Sequence, residues 1–194
     1  VKALTDAQLG SFTVEGTEIV GPMVGRDLTR KGIWATVLSL AGVLTYIAIR
    51  FRFSFAVGAV VATIHDLLVM MTFLVIFGYD LTLNVIAAVL TIAGYSVNDT
   101  VVVFDRVREN LKGMRKDNIS TVINVAVNQT LGRTVITAGT TLLSVVALFL
   151  FGGEVLRNFA LAVILGVIVG TYSSIFVASP IVVEWEARSP KRFK

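Results

Sequence analysis

The chain has 194 residues, 55% of them hydrophobic and 15% charged, with a formal net charge of +4 and a mean hydropathy of +0.82. That composition excludes an ordinary soluble domain and points to membrane spans. Cysteine is absent and histidine occurs once, which removes disulfides, thiolate chemistry and histidine-rich metal sites.

Residues 1–31 are mixed and polar. The chain opens on Val1 without a signal peptide, so its start reads as a cut or processing boundary. Val14, Ile19 and Val20 suit the last strand of an outer domain, and Gly21-Pro22-Met23-Val24-Gly25 reads as a linker. Five runs then follow, each near the roughly 20 apolar helical residues needed to cross a bilayer. Residues 32–49 are uncharged and flanked by Arg30, Lys31 and Arg50. Residues 53–77 are apolar except for His65-Asp66, and residues 81–104 except for Asn98-Asp99. Residues 134–153 and 159–183 carry no charge, and Pro180 sits near the end of the last run. The reading is an all-α polytopic transmembrane bundle over residues 32–187, with a cytoplasmic tail at 188–194.

The connections set an orientation. Twelve Lys and Arg residues lie on the side of the first and third loops and the C-terminus, against five on the other side. The positive-inside rule puts the twelve in the cytoplasm, with the N-terminus outside and the C-terminus inside. The same rule accounts for the net charge without nucleic acid. The outer loops are short, at 78–80 and 154–158, which makes tight antiparallel hairpins. Between spans three and four, Asn118 is a candidate N-cap. Ile119, Val122, Ile123, Val127 and Leu131 follow at helical spacing. They predict an amphipathic helix near 118–132, lying along the membrane surface or against the bundle. There is no internal repeat.

A charged side chain at the centre of a membrane helix costs roughly 2.5–3.5 kcal/mol on insertion scales. Such residues face a bundle interior and mark ion or proton pathways. Asp99 lies eighteen residues into its 24-residue run, about 8 Å inside the cytoplasmic end at about 1.5 Å per residue. Tyr95 and Ser96 share its helix face, and Asn98 and Thr100 flank it. Two readings stand: a carboxyl held by helix–helix hydrogen bonds, or one that takes up and releases protons. His65 and Asp66, near mid-membrane, pose the same choice. In the fourth span Arg133, Thr137, Thr140 or Thr141, and Ser144 form a polar stripe expected to face the bundle. Arg133 is either a cytoplasmic flank or a counter-ion for Asp99. Gly42, Gly58, Gly94, Gly139, and the Gly166/Gly170 pair are small residues suited to close helix contact. No P-loop, GxSxG or HExxH motif occurs, so no enzyme is indicated. The chain needs an external energy source, and a proton gradient is the natural one.

The block Gly94-Tyr95-Ser96-Val97-Asn98-Asp99-Thr100, continuing through Phe104-Asp105-Arg106 to Glu109-Asn110, resembles the hallmark of the SecF family. That family is the smaller half of the SecD–SecF accessory of the bacterial Sec translocon. Gly21-Pro22-Met23-Val24-Gly25, His65-Asp66, Gln129-Thr130-Leu131-Gly132-Arg133-Thr134 and Tyr172-Ser173-Ser174-Ile175-Phe176 are similar to it as well. The resemblance covers about residues 18–185. It implies a half of the resistance-nodulation-division type, holding spans two to six of six, without the first span and nearly all of the first periplasmic domain. It implies a bacterial inner-membrane protein paired with SecD, separate or fused, and associated with SecY, SecE, SecG, YidC and the translocating preprotein. It implies no cofactor, protons being the coupling ion. Within the family the positions matching Asp99 and Arg133 are required for proton transport. The expected relay is therefore Asp99, Arg133, Asn98 and Thr137, with His65, Asp66, Tyr95 and Thr141 as secondary polar positions. Two alternatives remain: a proton-coupled exporter of small molecules or lipids from the same superfamily, and a purely structural translocon subunit.

Overall fold

The computed structural model describes residues 22–51, 53–79, 83–114 and 117–188, and every element in them is helical. They are α1 (Pro22–Arg50), α2 (Phe53–Ile76), α3 (Leu83–Gly113), α4 (Ile119–Phe151), α5 (Gly153–Ser173), a π-turn (Ser174–Ala178) and α6 (Ser179–Arg188). The last three continue as one rod, so five helices are long and apolar enough to cross a membrane. The chain is thus a multi-pass membrane bundle. The strand expected around Val14, Ile19 and Val20 lies outside the described residues.

Three boundaries differ from the sequence reading. First, α1 starts at Pro22, so residues 22–25 are the first turn of a helix and not a linker. Proline fits there because an N–H at the first helical position has no intrahelical partner. An Asp27–Lys31 ion pair of 2.7 Å, one turn apart, supports the charged segment that follows. Second, no separate helix occupies 118–132; that segment is the first part of α4. Asn118 caps it as expected, its side chain accepting from the Ser120 N–H. Ile119, Val122 and Ile123 are buried against the bundle, whereas Leu131 is exposed. Gly132 does not break the helix, because one interior glycine costs only about 1 kcal/mol. Third, residues 154–158 are helical, and the α4–α5 turn is confined to Gly152, with Gly153 opening α5. Gly153 has φ +73°, which a residue without Cβ adopts freely.

The core is layered along the bundle axis. One apolar cluster, at the end where α1 meets α2, joins Ile47, Phe55, Ala59, Phe104, Val122 and Val182, with Phe104 set edge-on to Phe55 at 4.9 Å between centroids. A second cluster, toward the α2–α3 and α4–α5 turns, joins Met70, Leu74, Val85, Ile92, Val163 and Val167. Between them on every inner helix lie buried polar side chains: Asp66 on α2, Ser96, Asp99 and Thr100 on α3, Thr130 and Thr134 on α4, and Ser173 and Ser174 at the α5–π junction. α3 and α5 approach closely where the small residues sit. A Cβ on Gly166 would collide with the Ile92 side chain, and one on Gly170 would fall 3.4 Å from Ser96 Cβ. The Gly166/Gly170 pair is therefore a packing device, as its spacing suggests. Gly42, Gly94 and Gly139 have no neighbour at that range and lie on open faces.

Candidate functional site

Asp99 is 7% exposed, and each of its carboxylate oxygens accepts one hydrogen bond. The Thr134 hydroxyl of α4 donates to Oδ1 at 2.8 Å, and the Ser174 hydroxyl of the π-turn donates to Oδ2 at 2.6 Å. Three elements thus meet on one carboxyl. Asp66 of α2 is fully buried and held still more tightly. Its Oδ2 accepts from Ser96 at 2.5 Å and from Ser173 at 2.7 Å, while Oδ1 lies 3.0 Å from His65 Nδ1. Consecutive serines therefore hold the two aspartates, one each.

The local sequence explains this placement. Pro180 supplies no N–H and crowds the carbonyl four residues back, which a regular α-helix does not tolerate. The widened turn at Ser174–Ala178 lies just ahead of it, and the Ser179 hydroxyl donates to the Ser174 carbonyl at 3.1 Å. Gly170, one turn before Ser174, brings α5 close enough for the serines to reach α2 and α3. A buried carboxylate in this setting needs donors on both oxygens, because an unpaired buried charge is severely penalised. Hydroxyls meet that need without adding charge. The hydroxyls of Thr100 and Thr171, beside this layer, are buried with no protein partner among the described residues.

The expected relay is only partly assembled. Arg133 is exposed and makes no ion pair with Asp99; the neighbouring Thr134 is the contact instead. Asn98 is likewise exposed. Thr137 and Thr141 are half-buried, and Thr140 and Ser144 are exposed. The stripe beginning at Arg133 thus looks largely away from this bundle, contrary to expectation. The hydroxyls of Thr140, Thr141 and Ser144 donate to carbonyls one turn back on their own helix. Tyr95 is half-buried and packs on the second apolar cluster, that of Met70 and Ile92. Thr134, Ser173 and Ser174 had no role in the sequence reading beyond their place in quoted motifs. The available signal was a Ser-Ser pair in an otherwise uncharged span, a few residues before a proline.

A third carboxyl, Glu186 of α6, is 9% exposed and accepts from the Ser54 hydroxyl at 2.6 Å. It lies with the start of α2, away from the aspartate layer. Near the C-terminal end of α3, Gln129 Oε1 accepts from Arg106 Nε at 2.7 Å and from Asn110 Nδ2 at 2.9 Å. Arg50 approaches Asp105 at 3.7 Å. The Gln129 bonds help fix the α3–α4 register that puts Thr134 opposite Asp99, while the Arg50–Asp105 contact ties α1 to α3.

A family profile described as protein export membrane protein SecD/SecF, C-terminal, matches residues 1–188. The protein translocase subunit SecF of Koribacter versatilis is 46% identical over 182 residues, covering 94% of this chain and 45% of that protein. The SecF subunit of Thermodesulfovibrio yellowstonii is 51% identical over 171 residues, covering 87% of this chain and 57% of that protein. This chain thus spans about half the length of the curated relatives it matches. A crystal structure of SecDF from Thermus thermophilus superposes with a TM-score of 0.83 at 46% identity, covering 87% of this chain and 24% of that one. A SecDF structure in a super-membrane-facing form superposes with the same TM-score of 0.83 at 39% identity, covering 97% of this chain and 26% of that one.

Proposed function

The chain belongs to the SecD/SecF C-terminal family of protein export membrane proteins, and on that premise we propose that it is the membrane half of a SecF-type translocase subunit. In this reading it uses the proton-motive force to complete preprotein export across the bacterial inner membrane. It works with SecD, fused or separate, beside SecY, SecE, SecG and YidC. Its N-terminal end faces outward and its C-terminus the cytoplasm, a reading supported by the excess of Lys and Arg on the C-terminal side. It makes and breaks no covalent bond of a substrate, and needs no cofactor besides the proton.

The observation that carries the proposal is the buried Asp99 carboxylate shared by α3, α4 and the π-turn. Ionised, it accepts from both hydroxyls and ties the three elements together. Protonated, it has a hydrogen to donate and no longer requires both donors. The hold on α4 and on the π-turn then loosens, and a second packing of the bundle against the SecD half becomes favourable. Arg133 stands one residue from Thr134, so a rotation of α4 exchanges the hydroxyl for a guanidinium at the carboxyl. That exchange gives Arg133 and the stripe through Thr137 their place in the cycle, with Asn98 beside the carboxyl. Proton entry from outside and release inward drive the alternation.

The test is Asp99→Asn in the complete SecD–SecF complex reconstituted with the translocon. Proton-dependent export is expected to fall at least tenfold while the ATP-driven step persists. Wild-type export with no proton flux in the intact complex would instead favour a purely structural subunit.

A further inference from the structure

Asp66 is buried more deeply than Asp99 and carries one more polar contact, yet the cycle above leaves it idle. We propose that Asp66 is a second proton-binding carboxyl, charged and discharged through His65 and coupled to Asp99 by the Ser173–Ser174 pair. The proposal rests on the proton-coupled reading of Asp99 and adds a second site to it.

Three observations support it. The first is the acceptor pattern of Asp66. Two hydroxyls converge on Oδ2 and the His65 ring meets Oδ1, the arrangement an ionised carboxylate requires. The second is access. Asp66 has no exposed surface, but the His65 side chain touching it is 38% exposed. A doubly protonated His65 can pass its Nδ1 proton to Oδ1 along the 3.0 Å contact. The N–H bond breaks, an O–H bond forms, and a charged pair becomes a neutral imidazole beside a neutral acid. In the proposal the ring recovers its proton from the outer side through its exposed edge.

The third observation is the linkage between the carboxyls. Ser173 and Ser174 are consecutive, and one hydroxyl serves each aspartate. Neutralising one carboxyl frees its serine, and a shift of that backbone disturbs the bond made by the other. The coupling point is the start of a π-turn, where helix register is easily exchanged. Depth gives the order of the sites. Ser96, which holds Asp66, precedes Asp99 on α3 by three residues, or about 4.5 Å along the axis. In the proposed orientation Asp66 is the nearer to the outside.

Few other charges compete at this level. Among the described residues, the titratable groups on neighbouring elements at this depth are Asp99 and Tyr95 of α3 and Tyr172 of α5, whose exposed ring stacks on Phe176. Residues 32–49 of α1 carry no charge, α5 and the π-turn offer hydroxyls there, and Glu186 of α6 is engaged with Ser54.

The test uses the full SecD–SecF complex in liposomes. Proton flux is followed with an entrapped pH-sensitive dye, and carboxyl protonation by infrared difference spectroscopy across a pH step. Asp66→Asn is expected to lower flux at least tenfold and to remove one protonated-carboxyl band, distinct from the band lost in Asp99→Asn. Asp66→Glu is expected to restore flux in part. Ser173→Ala keeps both carboxyls and is expected to shift the pH at which the Asp99 band appears. Wild-type flux in an assembled Asp66→Asn complex overturns the proposal, as does a wild-type spectrum whose only band is the one lost in Asp99→Asn. If Asp66→Asn does not assemble, an unmoved Asp99 band in Ser173→Ala overturns it. Full flux in Asp99→Asn would overturn the proton-coupled reading itself, whereas loss there with full flux in Asp66→Asn overturns only the second site.

Discussion

Thr134 and Arg133 are neighbours in sequence, and about 100° of helix rotation separates what they do. Thr134 is buried and bonds Asp99, while Arg133 points outward. Thr134→Val keeps the branched shape and removes the donor. It is expected to lower stability by about 1–2 kcal/mol, since a bond to a charged acceptor is lost inside the membrane. Thermal unfolding of the purified complex in detergent measures this. Arg133→Ala is expected to leave unfolding unchanged, because in this packing the guanidinium holds nothing, yet to reduce proton-driven export several-fold. Equal damage to stability from both variants would contradict the division of roles. Asp99 was legible as a buried carboxyl because charge inside an apolar run has few tolerable locations. Its donors were not, because serine and threonine in membrane helices commonly bond their own backbone, as Thr140 and Ser144 do here.

The helices themselves followed from apolar run length, and their ends did not. The segment from Pro22 is helical despite its two glycines and its charges, and the predicted surface helix is continuous with α4. Propensity at such places is worth less than the packing or the continuation that a neighbouring turn provides. The α3–α5 contact carries a prediction at this scale. Gly166→Ala drives a Cβ into Ile92 and is expected to cost about 1–3 kcal/mol. Ile92→Ala, which leaves a cavity when made alone, is expected to recover part of that loss in the double variant. A double-mutant cycle on unfolding measures the coupling, and strict additivity would show that the two side chains do not meet.

For the molecule as a whole, the orientation is directly testable because the chain has no cysteine of its own. Exposed Lys112 and Glu154 lie at opposite ends of the bundle. A cysteine at 112 is expected to react with an impermeant maleimide only from the cytoplasmic side, and one at 154 only from the outside. The reverse pattern would overturn the proposed orientation and invert the order in which Asp66 and Asp99 meet the proton. The amino-acid sequence by itself determined that this is a bundle of five apolar helices with aspartates inside it. Hydrophobic run length, the cost of buried charge and the bias of basic residues are local properties that act before any helix meets another. Only the tertiary structure decided which groups answer those charges. The close approach at Gly170 and the widened turn before Pro180 bring two adjacent serines onto two aspartates from different helices, a meeting set by the three-dimensional packing of α2, α3 and α5.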